Sequence, residues 1–304
     1  MTNVAALDCG SNSTRLLIMR DDHVTLHRAM RITRLSEGVD ASGTITRDAL
    51  TRTYDVLSEF RRSMDEFAVD RGLLVATSAV RDAANGESFL DEARRRTRVD
   101  CSLLSGRQEA SFTYNGATAD LEDVDEPTLV VDIGGGSTEL ALLFEGSMQS
   151  YSMQLGCVRV SERVLGHEIV SAGAAAAARA MIESELDRAW RAVPALDAVY
   201  GRVRLVGVAG TVATLAQMDA GLVAYDRAVV HHRRLTRDVV GWWRDRLGAL
   251  TSTDRLALAG MVRGREDVLV AGLFVLDAVM DRLGVHELLS SESDILDGIA
   301  ESLW

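Results

Sequence analysis

The feature that most constrains the fold is a ten-residue pattern that occurs twice along the chain. Residues 7–16 read LDCGSNSTRL, and residues 131–140 read VDIGGGSTEL, 124 residues later and without a gap. Apolar residues flank both copies. A strand, a turn of glycine and small polar residues, and a second strand together form a β-hairpin. Two such hairpins at matching places in the two halves predict a duplicated domain, with a cleft between the copies.

The alternation of predicted elements indicates the fold class. The chain has 304 residues, which is long for one hydrophobic core, so we expect two domains. Short β-branched stretches alternate with segments of helical periodicity, which is typical of the α/β class. The predicted strands are Val4–Leu7, Leu16–Met19, Leu73–Thr77, Thr128–Asp132, Glu139–Phe144 and Arg204–Val208. The predicted helices are Arg47–Met64, Ser88–Arg96, Gln108–Gly116, Ala172–Trp190, Arg237–Leu247, Asp267–Leu283 and Ser291–Trp304. The acidic stretch ADLEDVDEP, residues 119–127, predicts the boundary between domains 1–124 and 125–304.

Charge and cysteine usage argue against several classes of protein. The net charge is −12 at pH 7, whereas proteins that bind nucleic acid or anionic membranes usually carry the opposite sign. No apolar run approaches the length of about 18 residues that a membrane span needs, and the N-terminus lacks a signal pattern. Cys9, Cys101 and Cys157 have neither the number nor the spacing of a disulfide framework or zinc site. We therefore expect a cytoplasmic protein without nucleic-acid or membrane partners.

The repeated turns carry the chemical groups of a phosphate site. All 33 basic residues are arginine, so a phosphate-binding lysine is excluded. Consecutive N–H groups in a glycine turn form an anion-binding concavity, and the neighbouring serine and threonine hydroxyls add donors. A carboxylate beside a bound phosphate requires a divalent cation, and Asp132 with Glu139 would suit Mg²⁺ or another divalent cation. Taken alone, the triplet 134–136 also allows a hinge or a plain turn, and each aspartate allows a turn cap.

A third glycine turn lies further along the chain. Residues 205–216 read LVGVAGTVATLA, which predicts a strand that runs directly into a helix. Gly210 and Thr211 stand at the predicted helix N-terminus, where unpaired N–H groups bind anions.

Seven motifs in this order resemble one known family. They read LDCGSNSTRL, TSAVRDAAN, LLSGRQEA, VVDIGGGSTEL, LGCVRVSE, GVAGTVATLA and GREDVLVAG, and they extend from about Val4 to Ile299. Together they resemble the exopolyphosphatase and guanosine pentaphosphate phosphohydrolase family, within the actin, sugar kinase and Hsp70 superfamily. The resemblance implies two ribonuclease-H-like α/β domains with a cleft between them. It also allows a terminal helix that packs back on the first domain.

The resemblance implies a phosphoanhydride hydrolase. Such an enzyme releases terminal phosphate from inorganic polyphosphate or converts guanosine pentaphosphate to tetraphosphate. Glu109 would be the general base for the attacking water, and Arg81 and Arg15 would bind the terminal phosphoryl group. The local sequence agrees for Glu109, because Ser105 and Gln108 have capping-box spacing and leave Glu109 outside the cap.

These arguments give a defined set of site residues. The predicted catalytic residues are Glu109 and Arg81, and the predicted metal ligands are Asp132 and Glu139. The predicted phosphate-binding residues are Asp8, Ser11, Asn12, Ser13, Arg15, Gly134, Gly135, Gly136, Ser137, Thr138, Gly210 and Thr211.

Two other functions stay open from the sequence. A phosphotransferase related to acetate or sugar kinases would use the same glycine turns, and a non-enzymatic sensor of polyphosphate or guanosine tetraphosphate would need no base. Glu109 and the short GVAGT segment favour the hydrolase. In GREDVLVAG, Glu266 replaces the alanine usual in the family, which leaves the substrate channel undefined. Family members commonly dimerise, so the resemblance also allows a homodimer.

Overall fold

The computed structural model describes residues 1–122 and 124–304. The chain divides into two compact units, Met1–Gly116 with Asp294–Trp304 and Ala117–Ser293. The predicted linker contains Asp123, which lies outside the described residues. The predicted boundary after residue 124 lies next to it. The division into domains 1–124 and 125–304 therefore stays a prediction.

Strands and helices alternate along the chain. The strands are β1 (Asn3–Cys9), β2 (Ser13–Arg20), β3 (Thr25–Ile32), β4 (Arg71–Ala76), β5 (Asp100–Leu103), β6 (Thr128–Ile133), β7 (Thr138–Phe144), β8 (Ser147–Met153), β9 (Arg204–Val208), β10 (Arg234–Thr236) and β11 (Glu287–Ser290). The helices are α1 (Val39–Ser42), α2 (Arg47–Glu66), α3 (Ser78–Arg81), α4 (Gly86–Thr97), α5 (Gly106–Thr118), α6 (Cys157–Val160), α7 (Ala172–Ala192), α8 (Ala195–Ala198), α9 (Ala209–Asp219), α10 (Arg227–Val230), α11 (Arg237–Gly248), α12 (Ser252–Leu256), α13 (Leu269–Leu283) and α14 (Ile295–Glu301). A short π-helical segment, Ser161–Leu165, follows α6.

The two units repeat one sheet topology. The first unit has the strand order β3-β2-β1-β4-β5. β2 is antiparallel to both of its neighbours, β1 and β3, whereas β4 and β5 run parallel to β1. The second has β8-β7-β6-β9-β11 with the same directions, and β10 extends its edge. This is the ribonuclease-H-like arrangement, so the predicted α/β fold class is confirmed.

The core of the first unit lies on both faces of β1. Ala5 and Leu7 face the helices α2 and α4, whereas Val4 and Ala6 face α14. This follows from the two-residue period of a strand, since neighbouring side chains point to opposite faces. The near-continuous apolar sequence of β1 is therefore that of a strand covered on both sides.

The core of the second unit is organised around α13. Residues 269–276 are all buried, so this part of the helix is surrounded by other elements. Further along, Asp277, Asp281 and Arg282 lie on one partly exposed face. α7, α9 and α11 supply apolar side chains to the same cluster, and so do the strands of the second sheet.

All strands predicted from sequence are present, but five others were missed. These are β3, β5, β8, β10 and β11. In β3, which reads TLHRAMRI, most residues are only half-buried, so no apolar run marks the strand. The C-terminal helix begins later than predicted, at Ile295 rather than Ser291. The reason is local: the Ser293 N–H donates to Ser291 Oγ (3.1 Å), and the Asp294 carboxylate caps the helix.

Among residues 1–122 and 124–304, no helix combines the length and apolar character that crossing a membrane requires.

Candidate active site

The turn of the first hairpin, residues 10–12, is fixed by backbone hydrogen bonds. The Gly10 N–H donates to the Ser13 carbonyl oxygen at 3.0 Å. The carbonyl oxygens of Ser11 and Asn12 accept N–H groups from the segment 33–36 at 2.9–3.0 Å. The carbonyl side of the turn is therefore engaged by the chain that follows β3.

The glycine triplet of the second hairpin is held in the same way. The Gly134 N–H donates to the Ser137 carbonyl oxygen at 3.1 Å. N–H groups of residues 157–159, at the start of α6, donate to the carbonyl oxygens of Gly134 and Gly135 at 2.9–3.1 Å. The N–H groups of Gly135 and Gly136 find no acceptor within the part of the chain that the structure describes. The turn thus has its carbonyls bonded and two donors available for an anion.

The strand register pairs the charged residues that flank each turn. Asp8 lies opposite Arg15, and Asp132 lies opposite Glu139. Directly opposed residues share one face of the sheet, with Cβ atoms about 4.5–5.5 Å apart. The second hairpin therefore brings two buried carboxylates together. Ser152 Oγ donates to Glu139 Oε1 at 2.6 Å.

This donor set fits a hard divalent cation. Mg²⁺ takes oxygen ligands and commonly one or two carboxylates, with waters or phosphate oxygens completing its coordination. Asp132 and Glu139 supply two carboxylates on one buried face. A divalent cation bound by both carboxylates would offset the repulsion between them.

Asp8 has a different environment in the first hairpin. Its Oδ2 accepts Arg15 Nε at 3.1 Å and Arg15 Nη2 at 2.6 Å. Burial raises the pKa of the Asp8 carboxyl, and the Arg15 guanidinium opposes that shift. Asp8 Oδ1 is buried and has no hydrogen-bond partner among the described residues. A buried acceptor of this kind calls for a partner from outside the chain, such as a water or a ligand.

The two predicted catalytic residues lie side by side. Arg81 Nη1 is 3.5 Å from Glu109 Oε2 and donates to the Leu104 carbonyl oxygen at 2.8 Å. The Glu109 side chain is 9% exposed and that of Arg81 is 24% exposed. The predicted capping box is present, because the Ser105 N–H donates to Gln108 Oε1 at 3.0 Å and the Gln108 N–H donates to the Ser105 hydroxyl. The Glu109 side chain takes no part in these two bonds. A carboxylate and a guanidinium therefore meet beyond the ends of β4 and β5, on the helices α3 and α5 that follow these strands.

The third turn contains a close approach that explains its glycine. A Cβ at Gly210 would overlap the guanidinium of Arg265. Arg265 is buried, and Ala209 beside the glycine has a positive φ of 64°, which is uncommon for a residue with a side chain. Thr211 is also buried. The turn therefore packs against the guanidinium of Arg265, which is not among the predicted site residues.

Comparison with known proteins supports a single family. The model of the Ppx/GppA phosphatase family matches residues 17–302. The chain belongs to the Ppx/GppA phosphatase family. Exopolyphosphatase 2 of Mycobacterium tuberculosis is 36% identical, with 100% of this chain and 99% of that protein covered. A solved exopolyphosphatase-like protein is 33% identical, with a TM-score of 0.93 and 100% of both chains covered. A guanosine-5'-triphosphate,3'-diphosphate pyrophosphatase of Aeromonas salmonicida is 28% identical over 98% of this chain but only 59% of its own length.

In this Ppx/GppA phosphatase, the predicted site residues are divided between the two units. The first unit holds Asp8, Ser11, Asn12, Ser13, Arg15, Arg81 and Glu109. The second holds Asp132, Gly134, Gly135, Gly136, Ser137, Thr138, Glu139, Gly210 and Thr211. Their individual roles stay predictions.

Two buried residues near these groups were missed from the sequence. Asp294 accepts a hydrogen bond from Arg15 Nη1 across 279 positions of the chain. Arg255 is almost fully buried and donates to four backbone carbonyl oxygens, including that of Glu266, next to Arg265. Asp294 lies in the stretch SSESD, which predicts a helix cap, but no local signal marks its contact with Arg15. Arg255 lies in none of the motifs described above.

A cluster of potential metal ligands in the second unit has a simpler explanation. His231, His232 and Asp120 bring their ligand atoms within 4.8 Å of one another. The Glu292 N–H donates to His231 Nδ1 at 3.0 Å, so the proton of the neutral ring is on Nε2, which donates to Asp120 Oδ2 at 2.8 Å. Burial lowers the pKa of His231, which favours this neutral ring. The cluster is a hydrogen-bonded group in which His231 Nε2 is already protonated.

Proposed function

We propose that this Ppx/GppA phosphatase is an exopolyphosphatase, which hydrolyses the terminal phosphoanhydride bond of inorganic polyphosphate. The observation that carries the proposal is the contact of Arg81 with Glu109, at 3.5 Å and largely shielded from water. A guanidinium fork suits the oxygens of a terminal phosphoryl group, and the adjacent carboxylate suits the proton of the attacking water. The full-length similarity to a protein named exopolyphosphatase supports the choice of polyphosphate over guanosine pentaphosphate. Conversion of guanosine pentaphosphate to tetraphosphate is proposed as a second activity, since a relative of that name covers nearly all of this chain.

The proposed reaction is one hydrolytic displacement. Water attacks the terminal phosphorus and loses a proton to Glu109, while the bridging P–O bond breaks and the shortened chain leaves. Arg81 and Arg15 bind phosphate oxygens and neutralise their charge, which is the main contribution in phosphoryl transfer. In the second unit, the N–H groups of Gly135 and Gly136 donate to phosphate oxygens. Asp132 and Glu139 would hold Mg²⁺, which when bound supplies positive charge to the phosphate oxygens.

A substrate panel tests this proposal against its alternatives. Phosphate release would be measured from polyphosphate of defined lengths and from guanosine pentaphosphate, with Mg²⁺ or with a chelator. Parallel reactions would contain acetate or a sugar as acceptor. We expect release from polyphosphate that needs the divalent cation and is unaffected by the acceptor. Acceptor-dependent shortening of the chain, with the phosphoryl group found on the acceptor instead of as free phosphate, would show a phosphotransferase. Binding without release would show a sensor.

The glycine triplet offers a test of phosphate binding. In a Gly156→Ala variant the new Cβ would overlap the Gly135 carbonyl group and press on the Gly136 nitrogen. Overpacking of this kind costs about 1–3 kcal/mol, and here the turn must move to relieve it. We expect the affinity for tripolyphosphate, measured by calorimetry, to fall about tenfold, which corresponds to about 1.4 kcal/mol.

Gly241→Ala is the matched control, because nothing lies within 4 Å of the added Cβ on α11. It should leave the affinity unchanged. If Gly156→Ala binds tripolyphosphate as tightly as the unaltered protein, the triplet is a plain turn.

The remaining partners and the location are proposals on sequence grounds. We propose a cytoplasmic location, in keeping with three free thiols. The acidic net charge of −12 supports the absence of nucleic-acid and membrane partners. A homodimer stays a prediction from the family resemblance.

A further inference from the structure

Asp294 connects the C-terminal helix to the first phosphate hairpin. It is the N-cap residue of α14, and its Oδ1 accepts the Leu296 N–H at 2.9 Å. Its Oδ2 accepts Arg15 Nη1, while the other side of the same guanidinium is bound to Asp8. The Arg15 fork is therefore held by two carboxylates, one from its own hairpin and one from the end of the chain.

Asp294 is itself fixed in position. Its N–H donates to Asp297 Oδ2 at 2.8 Å, which completes a capping box. Arg28 Nη2 lies 2.6 Å from both oxygens of Asp297. Burial acts to raise the pKa of Asp294, but the guanidiniums of Arg15 and Arg28 hold it below its usual value, so the carboxylate is charged at neutral pH. The charge that faces Arg15 is thus both fixed and permanent.

The same helix packs closely on the element that carries the proposed base. A Cβ at Gly116 would overlap the Asp294 carbonyl oxygen, and a Cβ at Gly298 would overlap that of Phe112. Glu109, Phe112 and Gly116 follow one another at positions i, i+3 and i+7 of α5, so they share one face of that helix. α14 therefore contacts the face of α5 from which Glu109 projects, with backbone against backbone.

We propose that Asp294 is a positioning residue that orients the Arg15 guanidinium for a phosphate oxygen. The inference rests on the proposed function, in which Arg15 binds phosphate. Arginine has many rotamers, and an unrestrained fork would have to be ordered each time a substrate binds. Because Asp8 and Asp294 already hold the Arg15 guanidinium, a substrate that binds does not have to order it. Because α14 also packs against α5, one helix supports both the Arg15 guanidinium and the helix that carries Glu109.

An isosteric substitution tests the inference with a matched control. Asp294→Asn removes the charge facing Arg15 and retains a good N-cap residue. Asp297→Asn removes the charge of the other carboxylate of the capping box, which contacts Arg28 and not Arg15, and keeps an amide oxygen that can accept the Asp294 N–H. We expect Asp294→Asn to raise the KM for polyphosphate about tenfold, because an Arg15 fork that is no longer ordered in advance binds the phosphate oxygens less well. Asp297→Asn should change KM less than about twofold.

A double variant separates positioning from general support. In an Arg15→Gln background, Asp294→Asn should cause no further rise in KM, because residues that act through one another are not additive. Equal KM changes in Asp294→Asn and Asp297→Asn would show that α14 only supports the fold. A KM that falls in Asp294→Asn would also overturn the inference, since the carboxylate would then merely compete with substrate for Arg15.

A spectroscopic readout does not depend on activity. In protein labelled with ¹⁵N-arginine, the Arg15 Nε–H signal can be identified by its loss in Arg15→Gln. We expect this signal to broaden or exchange faster with water in Asp294→Asn and to stay unchanged in Asp297→Asn. An unchanged signal in Asp294→Asn would refute the positioning role even if the enzyme is active. If the unaltered protein releases no phosphate, the proposed function fails, and the signal still decides whether Asp294 orders Arg15.

Discussion

Replacement of Glu109 by glutamine should lower the rate of phosphate release from polyphosphate by at least about a hundredfold, the range expected for loss of a general base. Glutamine has nearly the same shape and can remain beside Arg81, 3.5 Å away in the unaltered protein, but it cannot accept the proton of the attacking water. The affinity for polyphosphate should be retained, because Arg81 and the glycine turns are unchanged. Single-turnover phosphate release gives the rate, and calorimetry with a short polyphosphate gives the affinity.

Glu92→Gln is a suitable control for this substitution. Glu92 lies on α4 of the same unit and pairs with Arg95 and Arg96, away from the predicted site residues. Partly exposed ion pairs within a surface helix contribute about 0–1 kcal/mol, so neither rate nor affinity should change appreciably. Hydrolysis by Glu109→Gln at close to the original rate would remove Glu109 from its proposed role. Loss of affinity in parallel with rate would mean that the carboxylate organises the site instead of accepting a proton.

The parts of the structure that could be predicted from sequence are those with a local cause. The duplicated hairpins follow from apolar runs on either side of a turn of glycine and small polar residues. The capping box of Ser105 and Gln108 needs only a three-residue spacing, and it is present as predicted. The register that places Asp132 opposite Glu139 follows once the hairpin turn is fixed.

The parts that could not be predicted depend on contacts between distant positions. Arg15 and Asp294 are separated by 279 positions, and no periodicity relates them. The close approach of the Arg265 guanidinium to Gly210 brings together two segments that are far apart in the sequence. β3 was missed because its half-buried residues give no apolar pattern, although it leads into the segment that fixes the first turn. Tertiary packing, and not local preference, decides each of these.

Arg255 provides the second large expected effect, which concerns stability. Its Nε donates to the Leu247 carbonyl oxygen at 2.8 Å, and its two Nη atoms donate at 2.7–3.0 Å to those of His167, Glu168 and Glu266. One buried guanidinium thus joins the end of α11, the segment before α7 and the loop that carries Arg265. A single side chain therefore donates to carbonyl oxygens at three places, although the Leu247 oxygen also accepts the Leu250 N–H at 3.1 Å.

We expect Arg255→Met to lower the free energy of unfolding by about 3–5 kcal/mol. Methionine fills much of the volume but removes four hydrogen bonds, one to a buried and three to partly buried carbonyl oxygens. A hydrogen bond from a charged donor contributes about 1.5–3 kcal/mol. Burial lowers the pKa of Arg255, which shows that the charged group is itself costly to bury, and removing it offsets part of the loss. Arg255→Lys should also be destabilising, because one ammonium cannot reach carbonyls at three separate places.

Urea unfolding measures this effect, with Arg94→Met as the control. Arg94 is half exposed and pairs with Asp91 three residues away on α4, so its replacement should change the free energy of unfolding by less than about 0.5 kcal/mol. Unfolding of Arg255→Met at the same urea concentration as Arg94→Met would show that water or neighbouring N–H groups satisfy the carbonyls once the guanidinium is gone. A large loss would instead mean that the loop beside Gly210 is held by Arg255. In that case the position of Arg265 depends on a buried hydrogen-bond donor that lies ten positions earlier in the chain.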